Sequence, residues 1–257
     1  MSDQKQIIAC IGTSGIVVPG SKTSRPAKFQ TGSRLHYYAS LFNTLEINST
    51  FRKIPKTATF EKWSADVPPD FRFTIKLLRD ITHVKPFVFD AAKIDTFINA
   101  AGYLAERKGC LLAQFPASIK FDRQEEIARI LHQVRKNDQG GQWKLAVEFR
   151  DESWYRGETM ELLKTVDASM VLHDMPKSLH LTPDPNAAFT YFRFHGPKGD
   201  YRGDYSHEFL SIQSEKIRSL LDNGKEVYAY FNNTMGNAFD NAMTLKSMTQ
   251  GGEGFEV

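Results

Sequence analysis

Charged and polar side chains recur at the ends of the short apolar runs in this sequence. Glu148 and Arg150 close one such run, and Arg193 and His195 close another. Carboxylates, imidazoles and guanidinium groups are the side chains that proteins use to bind anions and to move protons. The sequence therefore predicts a polar pocket, provided that the fold brings the ends of these runs together.

The candidate residues divide into two sets by expected role. Those expected to carry catalysis are Glu46, Lys76, Glu148, Asp174 and His195. Those expected to bind substrate are Ser14, Asn48, His83, Gln114, Arg150, Arg193, Gly196, Tyr201, Asn232 and Asn233. We expect the cations Lys76, Arg150 and Arg193 to hold an anionic group. We expect Glu148 or Glu46 to act as a general base, and His195 as a general acid or electrophile.

The elements that must position these residues alternate between strands and helices. Strands are predicted at 7–13, 44–48, 71–77, 110–115, 144–149, 169–174, 189–195 and 226–232. Helices are predicted at 34–43, 58–66, 91–107, 123–136, 158–167, 207–222 and 236–248. Eight strands that alternate with helices in a chain of this length favour one (β/α)₈ TIM-type barrel domain over residues 1–257. The rival, a doubly wound open sheet, usually has a Gly-rich fingerprint after its first strand, which Gly12-Thr13-Ser14-Gly15 does not match.

Strand side chains alternate between two faces, so the pattern also predicts which residues enter the barrel. In the fifth strand Ala146, Glu148 and Arg150 point inward. In the sixth strand we expect Asp174 to point inward, and a register shift of one residue would put His173 there instead. Barrel enzymes keep their active sites at the carboxyl ends of the strands, which is where these polar residues fall.

Three connections depart from a regular helix or a tight turn. The crossover from 174 to 188 carries Pro176, Pro183 and Pro185, so we expect an irregular segment in place of a sixth helix. The loops at 196–203 and 232–237 are rich in glycine. Loops after the seventh and eighth strands often bind phosphate in barrels, so a phosphorylated substrate is the leading expectation.

Other chemistries fit the same residues less well. His83 with Glu46, Glu148, Asp174 and His195 would offer ligands to a divalent cation, but nearby cations compete, so no cofactor is expected. Lys76 would form a Schiff base only if it were desolvated and neutral. Glu46 and Glu148 would suit glycoside hydrolysis only at a separation that sequence does not give.

Composition sets broader limits. The chain has 257 residues, 41% of them apolar, and a formal net charge of +3. The two cysteines, Cys10 and Cys110, argue against a disulfide scaffold and suit a reducing compartment, so a cytoplasmic location is expected. The sequence has no apolar run long enough for a membrane span, and the opening residues do not resemble a signal peptide. Neither a membrane partner nor nucleic acid is favoured, and the oligomeric state stays open, with a monomer compatible.

Nine stretches of the sequence resemble one known family. They are Gly12-Thr13-Ser14-Gly15, Tyr37-Tyr38, Leu45-Glu46-Ile47-Asn48-Ser49-Thr50-Phe51, Phe71-Arg72-Phe73 with Lys76, Ile81-Thr82-His83, Gln114-Phe115-Pro116, Glu148-Phe149-Arg150 with Trp154, Arg193-Phe194-His195-Gly196, and Tyr230-Phe231-Asn232-Asn233 with Gly236 and Ala238. The family is the domain-of-unknown-function 72 family, the YecE-like proteins. The resemblance implies a (β/α)₈-type barrel and implies no particular reaction. The chain departs from the family pattern at Ile16-Val17-Val18, where a Trp is usual, and at Phe51-Arg52, where Phe-Tyr is frequent.

Three functions therefore compete. The first is an enzyme that acts on a small anionic, phosphorylated substrate at the carboxyl ends of the strands. The second is a barrel that binds nucleic acid or cleaves phosphodiesters with a metal. Basic residues of the expected loops favour this reading: Lys22, Arg25, Arg52, Lys198 and Arg202. The third is a sensor that holds an anion without catalysis.

Overall fold

A computed structural model describes residues 9–84, 87–138 and 140–251, and residues 7 and 8 of the predicted first strand lie outside this part of the chain. Within it the strands are β1 (Ala9–Thr13), β2 (Thr44–Ile47), β3 (Arg72–Lys76), β4 (Lys108–Phe115), β5 (Lys144–Phe149), β6 (Ala168–His173), β7 (Phe189–Phe194) and β8 (Glu226–Phe231). The α-helices are α1 (Arg34–Ala39), α2 (Thr57–Ala65), α3 (Arg79–Thr82), α4 (Ala91–Ala101), α5 (Gln124–Asn137), α6 (Gly157–Thr165), α7 (His207–Asp222) and α8 (Ala238–Gln250). The predicted strands are confirmed, with bounds close to the expected ones.

The strands form one parallel sheet in the order β1-β8-β7-β6-β5-β4-β3-β2. The two end strands, β1 and β2, approach each other at their carboxyl ends. Ser14 and Glu46 form a parallel bridge there, and the Gly15 N–H donates to the Glu46 carbonyl at 2.8 Å. The sheet is thus a nearly closed cylinder with helices around it, which confirms the predicted (β/α)₈ barrel.

A side chain completes the seam between β1 and β2. The hydroxyl of Tyr38 accepts from the Thr13 N–H at 2.9 Å and donates to the Thr44 carbonyl at 3.1 Å. Gly12 allows this close approach, because a Cβ atom at that position would lie 2.5 Å from the Thr44 carbonyl oxygen. Buried backbone groups need partners, so the Tyr38 hydroxyl takes the place of a missing ladder bond.

The alternation of side chains separates two apolar regions. In β5, Leu145, Val147 and Phe149 join the main core between the sheet and the helices, whereas Ala146 faces the lumen. The lumen cluster, which we call the lower lumen layer, consists of Cys10, Cys110, Leu112, Ala146, Val171, Phe189, Tyr191, Tyr228 and Tyr230. On the other side of the sheet, α5 contributes the apolar side of an amphipathic helix to the main core, including Ile127 and Leu131.

The connection between β6 and β7 is irregular, as predicted. Residues 174–188 contain one short 3-10 turn, Pro176–Ser178, and His180 forms an isolated antiparallel bridge with His173. The ammonium of Lys225 holds the later part of this segment by donating to the carbonyls of Ala187 at 2.8 Å and Asp184 at 3.3 Å, and to that of Pro185. In the part of the chain that the structure describes, no helix has the length and apolar character that crossing a membrane requires.

Candidate functional site

A buried ion network centred on Arg193 lies above the lower lumen layer. Arg193 Nε and Nη2 donate to the two carboxylate oxygens of Glu46 at 3.0 and 2.8 Å. Arg193 Nη1 donates to Glu148 Oε2 at 2.7 Å. All three side chains are buried. A planar guanidinium with several donors suits two carboxylates at once, so one cation joins β2, β5 and β7. We call Glu46, Glu148 and Arg193 the ion layer.

Glu46 receives further donors from three elements. Ser14 Oγ donates to Oε1 at 2.6 Å, the Tyr191 hydroxyl donates to Oε2 at 2.5 Å, and Asn48 Nδ2 donates to Oε1 at 3.3 Å. Burial by itself would raise the pKa of Glu46, but the charge of Arg193 and the hydrogen bonds lower it below its ordinary value. The carboxylate is therefore ionised at neutral pH and is surrounded by donors.

Glu148 is held by two arginines. Arg150 Nε donates to its Oε1, and Arg193 donates to its Oε2. Burial raises the pKa of Glu148, but the charges of Arg150 and Arg193 outweigh this effect and hold the pKa well below its ordinary value. A buried carboxylate with so low a pKa accepts protons poorly at neutral pH. Glu46 and Glu148 therefore stay ionised and pair with the arginines, and this geometry does not favour the general-base role predicted for them.

Arg150 extends the network to His195 and Asp174. Arg150 Nη2 lies 2.9 Å from His195 Nε2, and an arginine can only donate, so Nε2 accepts. The His195 proton is then on Nδ1, which donates to Asp174 Oδ1 at 3.2 Å. Burial lowers the pKa of His195 to about 4. The imidazole is therefore neutral at physiological pH, and the predicted role of an electrophile fits it better than that of a protonated acid.

Lys76 lies at the end of β3 and forms the wall of the site that is separated from β7 by three strands. Its Nζ donates to Gln114 Oε1 at 2.7 Å and lies 4.2 Å from the centre of the Phe51 ring. Neither partner is charged, and no carboxylate among the described residues forms an ion pair with Lys76. Burial and the positive charge of Arg193 lower the pKa of Lys76 to about 8. Lys76 thus titrates close to neutral pH.

His83 adjoins this wall. Its Nε2 lies 3.4 Å from Gln114 Nε2, and its ring meets the Phe51 ring edge-on at 4.8 Å between centres. Burial and the neighbouring charge of Lys76 lower the pKa of His83 to about 4. His83 is therefore a neutral group near Lys76, on a different side of the site from His195.

The glycine-rich loops after β7 and β8 pack against each other. Gly196 has φ +99, and a Cβ atom there would lie 2.2 Å from the Arg202 carbonyl oxygen. The Gly196 N–H donates to the Tyr205 hydroxyl at 2.6 Å, and the Tyr201 N–H donates to the His195 carbonyl at 2.8 Å. Because many backbone donors of these loops already have partners, the structure offers less support for a backbone phosphate cradle than the sequence did.

The remaining loop candidates divide between the site and the scaffold. The Tyr201 ring lies beside His195, 5.7 Å between centres, and Tyr201 is exposed. Asn232 is half-buried, and its backbone N–H donates to the Phe194 carbonyl at 2.7 Å. Asn233 is fully buried and its Nδ2 donates to Asn241 Oδ1 at 2.9 Å and to the Gly203 carbonyl at 3.0 Å, so it joins the two loops.

Strand β6 places His173, and not Asp174, on the lumen row. Val171 belongs to the lower lumen layer, so the next inward position is His173. Its ring stands near that of His195, at 6.0 Å between centres. Asp174 lies one residue beyond the strand and reaches the site from there, by accepting from the His195 N–H at 2.7 Å. The register that the sequence analysis assigned to the sixth strand was therefore wrong by one residue, yet both residues adjoin His195.

Three further residues of the site were not among the candidates. Tyr191 donates to Glu46, and its inward position on β7 was a signal that alternation could have supplied. Phe51 covers Lys76 from a 3-10 turn, and Tyr205 donates its hydroxyl to Asp174 Oδ2 from the loop before α7. No local pattern distinguishes those two aromatic residues from the core.

The donors considered for a divalent cation are engaged elsewhere. Glu46 and Glu148 accept from arginines, and Asp174 accepts from His195 and Tyr205. Over residues 9–84, 87–138 and 140–251, no group of three or more His, Cys, Asp or Glu side chains is arranged to hold a metal ion. The residues at the ends of the strands therefore do not fit a metal centre in this arrangement.

The fold and the site define a (β/α)₈ barrel protein with a polar site at the carboxyl ends of its strands. The chain belongs to the family described as "Protein of unknown function DUF72", whose sequence pattern matches residues 10–255. This confirms the resemblance seen in the motifs.

Individual relatives agree with this assignment. The chain is 28% identical over 254 residues to the "UPF0759 protein YunF" of Bacillus subtilis, a match that covers 86% of this chain and 88% of that protein. A solved DUF72 family protein from Thermotoga maritima is 30% identical with a TM-score of 0.75, over 95% of this chain and 99% of that one. A second, from Enterococcus faecalis, is 21% identical with a TM-score of 0.77, over 95% and 96%.

Proposed function

We propose that this chain is an enzyme that acts on a small anionic substrate at the carboxyl ends of the barrel strands. We call this open end of the barrel the mouth; Lys76, Gln114, Arg150, Tyr201 and Asn232 surround it. The observation that carries the proposal is the state of Lys76, a half-buried ammonium at the mouth whose hydrogen-bond partner is neutral.

The pairing of charges at the strand ends favours an anion as the ligand of Lys76. Arg193 and Arg150 pair with Glu46 and Glu148, and Asp174 accepts from His195 and Tyr205 on another side of the site, so Lys76 faces the mouth without a directly paired carboxylate among the described residues. Arg150 adds a second donor, because its Nη1 has no hydrogen-bond partner within the described part of the chain. A phosphate or a carboxylate would accept hydrogen bonds from both cations.

Lys76 also suits proton transfer. A group whose pKa lies near the working pH is the most effective general acid or base, and the pKa of Lys76 is lowered to about 8. His195 is neutral and oriented by Asp174, so its imidazole can form hydrogen bonds to a reacting group without carrying charge. The proposed division of work is therefore binding by Lys76 and Arg150, proton transfer by Lys76, and orientation by His195. The phosphorylated class remains the first to test.

A binding titration tests the proposal. Small phosphorylated and carboxylated compounds are titrated by calorimetry at pH 7 and pH 9.5 against the wild type, Lys76→Met and Lys164→Met. Lys164 is an exposed lysine on α6 and serves as the matched control. The dissociation constant of the anion should rise about tenfold or more in Lys76→Met. Binding to the wild type should weaken by a similar factor when the pH is raised through about 8, because the Lys76 ammonium loses its proton. Lys164→Met should bind as the wild type does.

The outcomes separate the three functions. Binding by none of the compounds, or binding that Lys76→Met leaves intact, would contradict the proposal. Conversion of the tightest ligand to product distinguishes an enzyme from a sensor that only holds the anion. Duplex DNA enters the same titration at low salt, because salt-dependent binding to DNA with no response to small anions would favour the nucleic-acid alternative.

A further inference from the structure

A largely apolar cavity lies against β2, on the side that faces the helices. Its volume is about 280 Å³, and it is formed by the helix-facing side of β2, by α1 and α2, and by the segments that follow β1 and β2. The residues that line it are Gly15, Ile16, Leu35, Leu45, Ile47, Asn48, Ser49 and Trp63. The cavity is therefore separate from the ion layer, although β2 contributes to both.

Two residues form the border between this cavity and the charged site. Asn48 lines the cavity, and its Nδ2 donates to Glu46 Oε1 at 3.3 Å. Gly15 also lines the cavity, and its N–H donates to the Glu46 carbonyl at 2.8 Å. Gly15 leaves space free on its side-chain face, since an added Cβ atom would meet no heavy atom within 4 Å outside its chain neighbours. A group held in the cavity would thus lie next to residues that contact Glu46.

The size and lining of the cavity limit what it can hold. Pockets for whole drug-sized ligands span roughly 300–1,000 Å³, so this cavity suits one substituent of a ligand. Leu35, Ile47 and Trp63 offer aliphatic and aromatic surface, and none of the described residues that line the cavity is charged. An aryl ring or a short branched alkyl group gains free energy by leaving water for such a surface.

We infer that this cavity is the subsite for an apolar group of the substrate, so that the substrate class is a small anion bearing an aryl or branched alkyl substituent. The inference rests on the proposed function, because the anionic group is placed at Lys76 and Arg150. Gly15 and Asn48 line the cavity and contact Glu46, and this adjacency to the charged site is the reason for assigning the cavity to the substrate rather than to a separate ligand.

Pairs of probes that differ in the apolar group test the inference. Acetate is compared with 4-phenylbutyrate, and inorganic phosphate with phenyl phosphate, by calorimetry on the full chain. In the wild type at least one aryl anion should bind about tenfold more tightly than the bare anion of its pair. Ser49→Phe places a ring in the cavity from an exposed position, and should reduce this ratio to about one. Ile16→Phe, on another part of the lining, should do the same.

The control is Ser219→Phe, at an exposed serine on α7, which should keep the wild-type ratio. Benzyl alcohol is added as an uncharged probe, read by the indole N–H resonance of Trp63. If no anion binds, the proposed function fails and the inference that rests on it fails too, and a benzyl alcohol shift of Trp63 that Ser49→Phe removes would then assign the cavity to an uncharged apolar ligand. If bare anions bind but neither aryl anion gains affinity, the proposed function stands and this inference is overturned.

Discussion

Two layers of side chains fill the same lumen, only two residues apart along the strands. In β5, Ala146 belongs to the lower lumen layer and Glu148 to the ion layer, and in β7 the corresponding pair is Tyr191 and Arg193. The lower layer is built from aromatic rings, thiols and aliphatic groups, which gain stability when they leave water. The ion layer takes three charges out of water at the same depth of burial.

The contrast indicates that the lower lumen layer stabilises the fold, whereas the ion layer shapes the site. A buried ion network is weak evidence for stability, since well-packed apolar residues often do as well or better. Stability alone would therefore have continued the apolar layer upward. The ion layer instead fixes Arg150 through Glu148, and burial together with the charge of its Arg193 lowers the pKa of Lys76 at the mouth. The four changes below test this contrast, in order of expected effect.

Arg193→Met should have the largest effect on stability. It leaves Glu46 and Glu148 buried without their shared cation, and breaking a buried ion pair costs about 3–5 kcal/mol. Urea unfolding measures the loss. Because the cost comes from unpaired charge, adding Glu46→Gln to Arg193→Met should recover part of it. A loss below about 1 kcal/mol for Arg193→Met would mean that the ion layer is not coupled as described.

Leu112→Ala should destabilise the lower lumen layer by a different mechanism. Leu112 is fully buried, and its truncation leaves a cavity that costs about 3 kcal/mol. Urea unfolding at pH 7 and pH 5 should show the same loss at both values, since no titrating group of the ion layer is removed. A loss that changes strongly with pH would contradict the separation of the two layers.

The pH dependence of stability should belong to the upper part of the lumen. A histidine in the unfolded chain takes up a proton near pH 6.5, whereas burial lowers the pKa of His195 to about 4 in the fold. Between these values the unfolded chain binds more protons, so the free energy of unfolding falls as the pH drops from about 6.5 towards 4. His195 alone should account for about 2 kcal/mol between pH 7 and pH 5.

The matched variant for this prediction is His195→Gln, compared by urea unfolding at the same two pH values. Its stability should fall less on acidification than that of the wild type, with the remaining fall due to the other histidines of lowered pKa, such as His83 and His180. An unchanged slope in His195→Gln would show that His195 is not held neutral.

Tyr230→Phe should have the smallest effect. The Tyr230 hydroxyl lies 2.5 Å from Thr44 Oγ1 and 2.8 Å from Thr74 Oγ1, so the change removes neutral hydrogen bonds and keeps the ring. Such a loss costs about 1 kcal/mol. Thermal unfolding measures it, and a cost comparable to that of Arg193→Met would show that the lower layer also depends on a polar network.

Much of the fold was predictable because it rests on local patterns. The alternation that put Leu145 and Val147 on one face and Ala146 and Glu148 on the other is a property of any extended strand. The irregular crossover was predicted for an equally local reason, since proline disrupts helices and the segment contains Pro176, Pro183 and Pro185. The error at Asp174 arose where the strand ends, because alternation no longer constrains a residue beyond the last strand position.

Local patterns in the chain established that polar residues end the strands, that a barrel collects them, and to which family the chain belongs. The three-dimensional arrangement was needed to show that Arg193 joins Glu46 and Glu148, that Arg150 makes His195 an acceptor, and that Lys76 keeps a neutral partner. Hydrogen bonds and ion pairs form over a few ångströms between residues that are far apart in the chain, so no local pattern contains them. Glu46 and Arg193 are 147 positions apart, and their meeting depends on how the strands are staggered around the barrel.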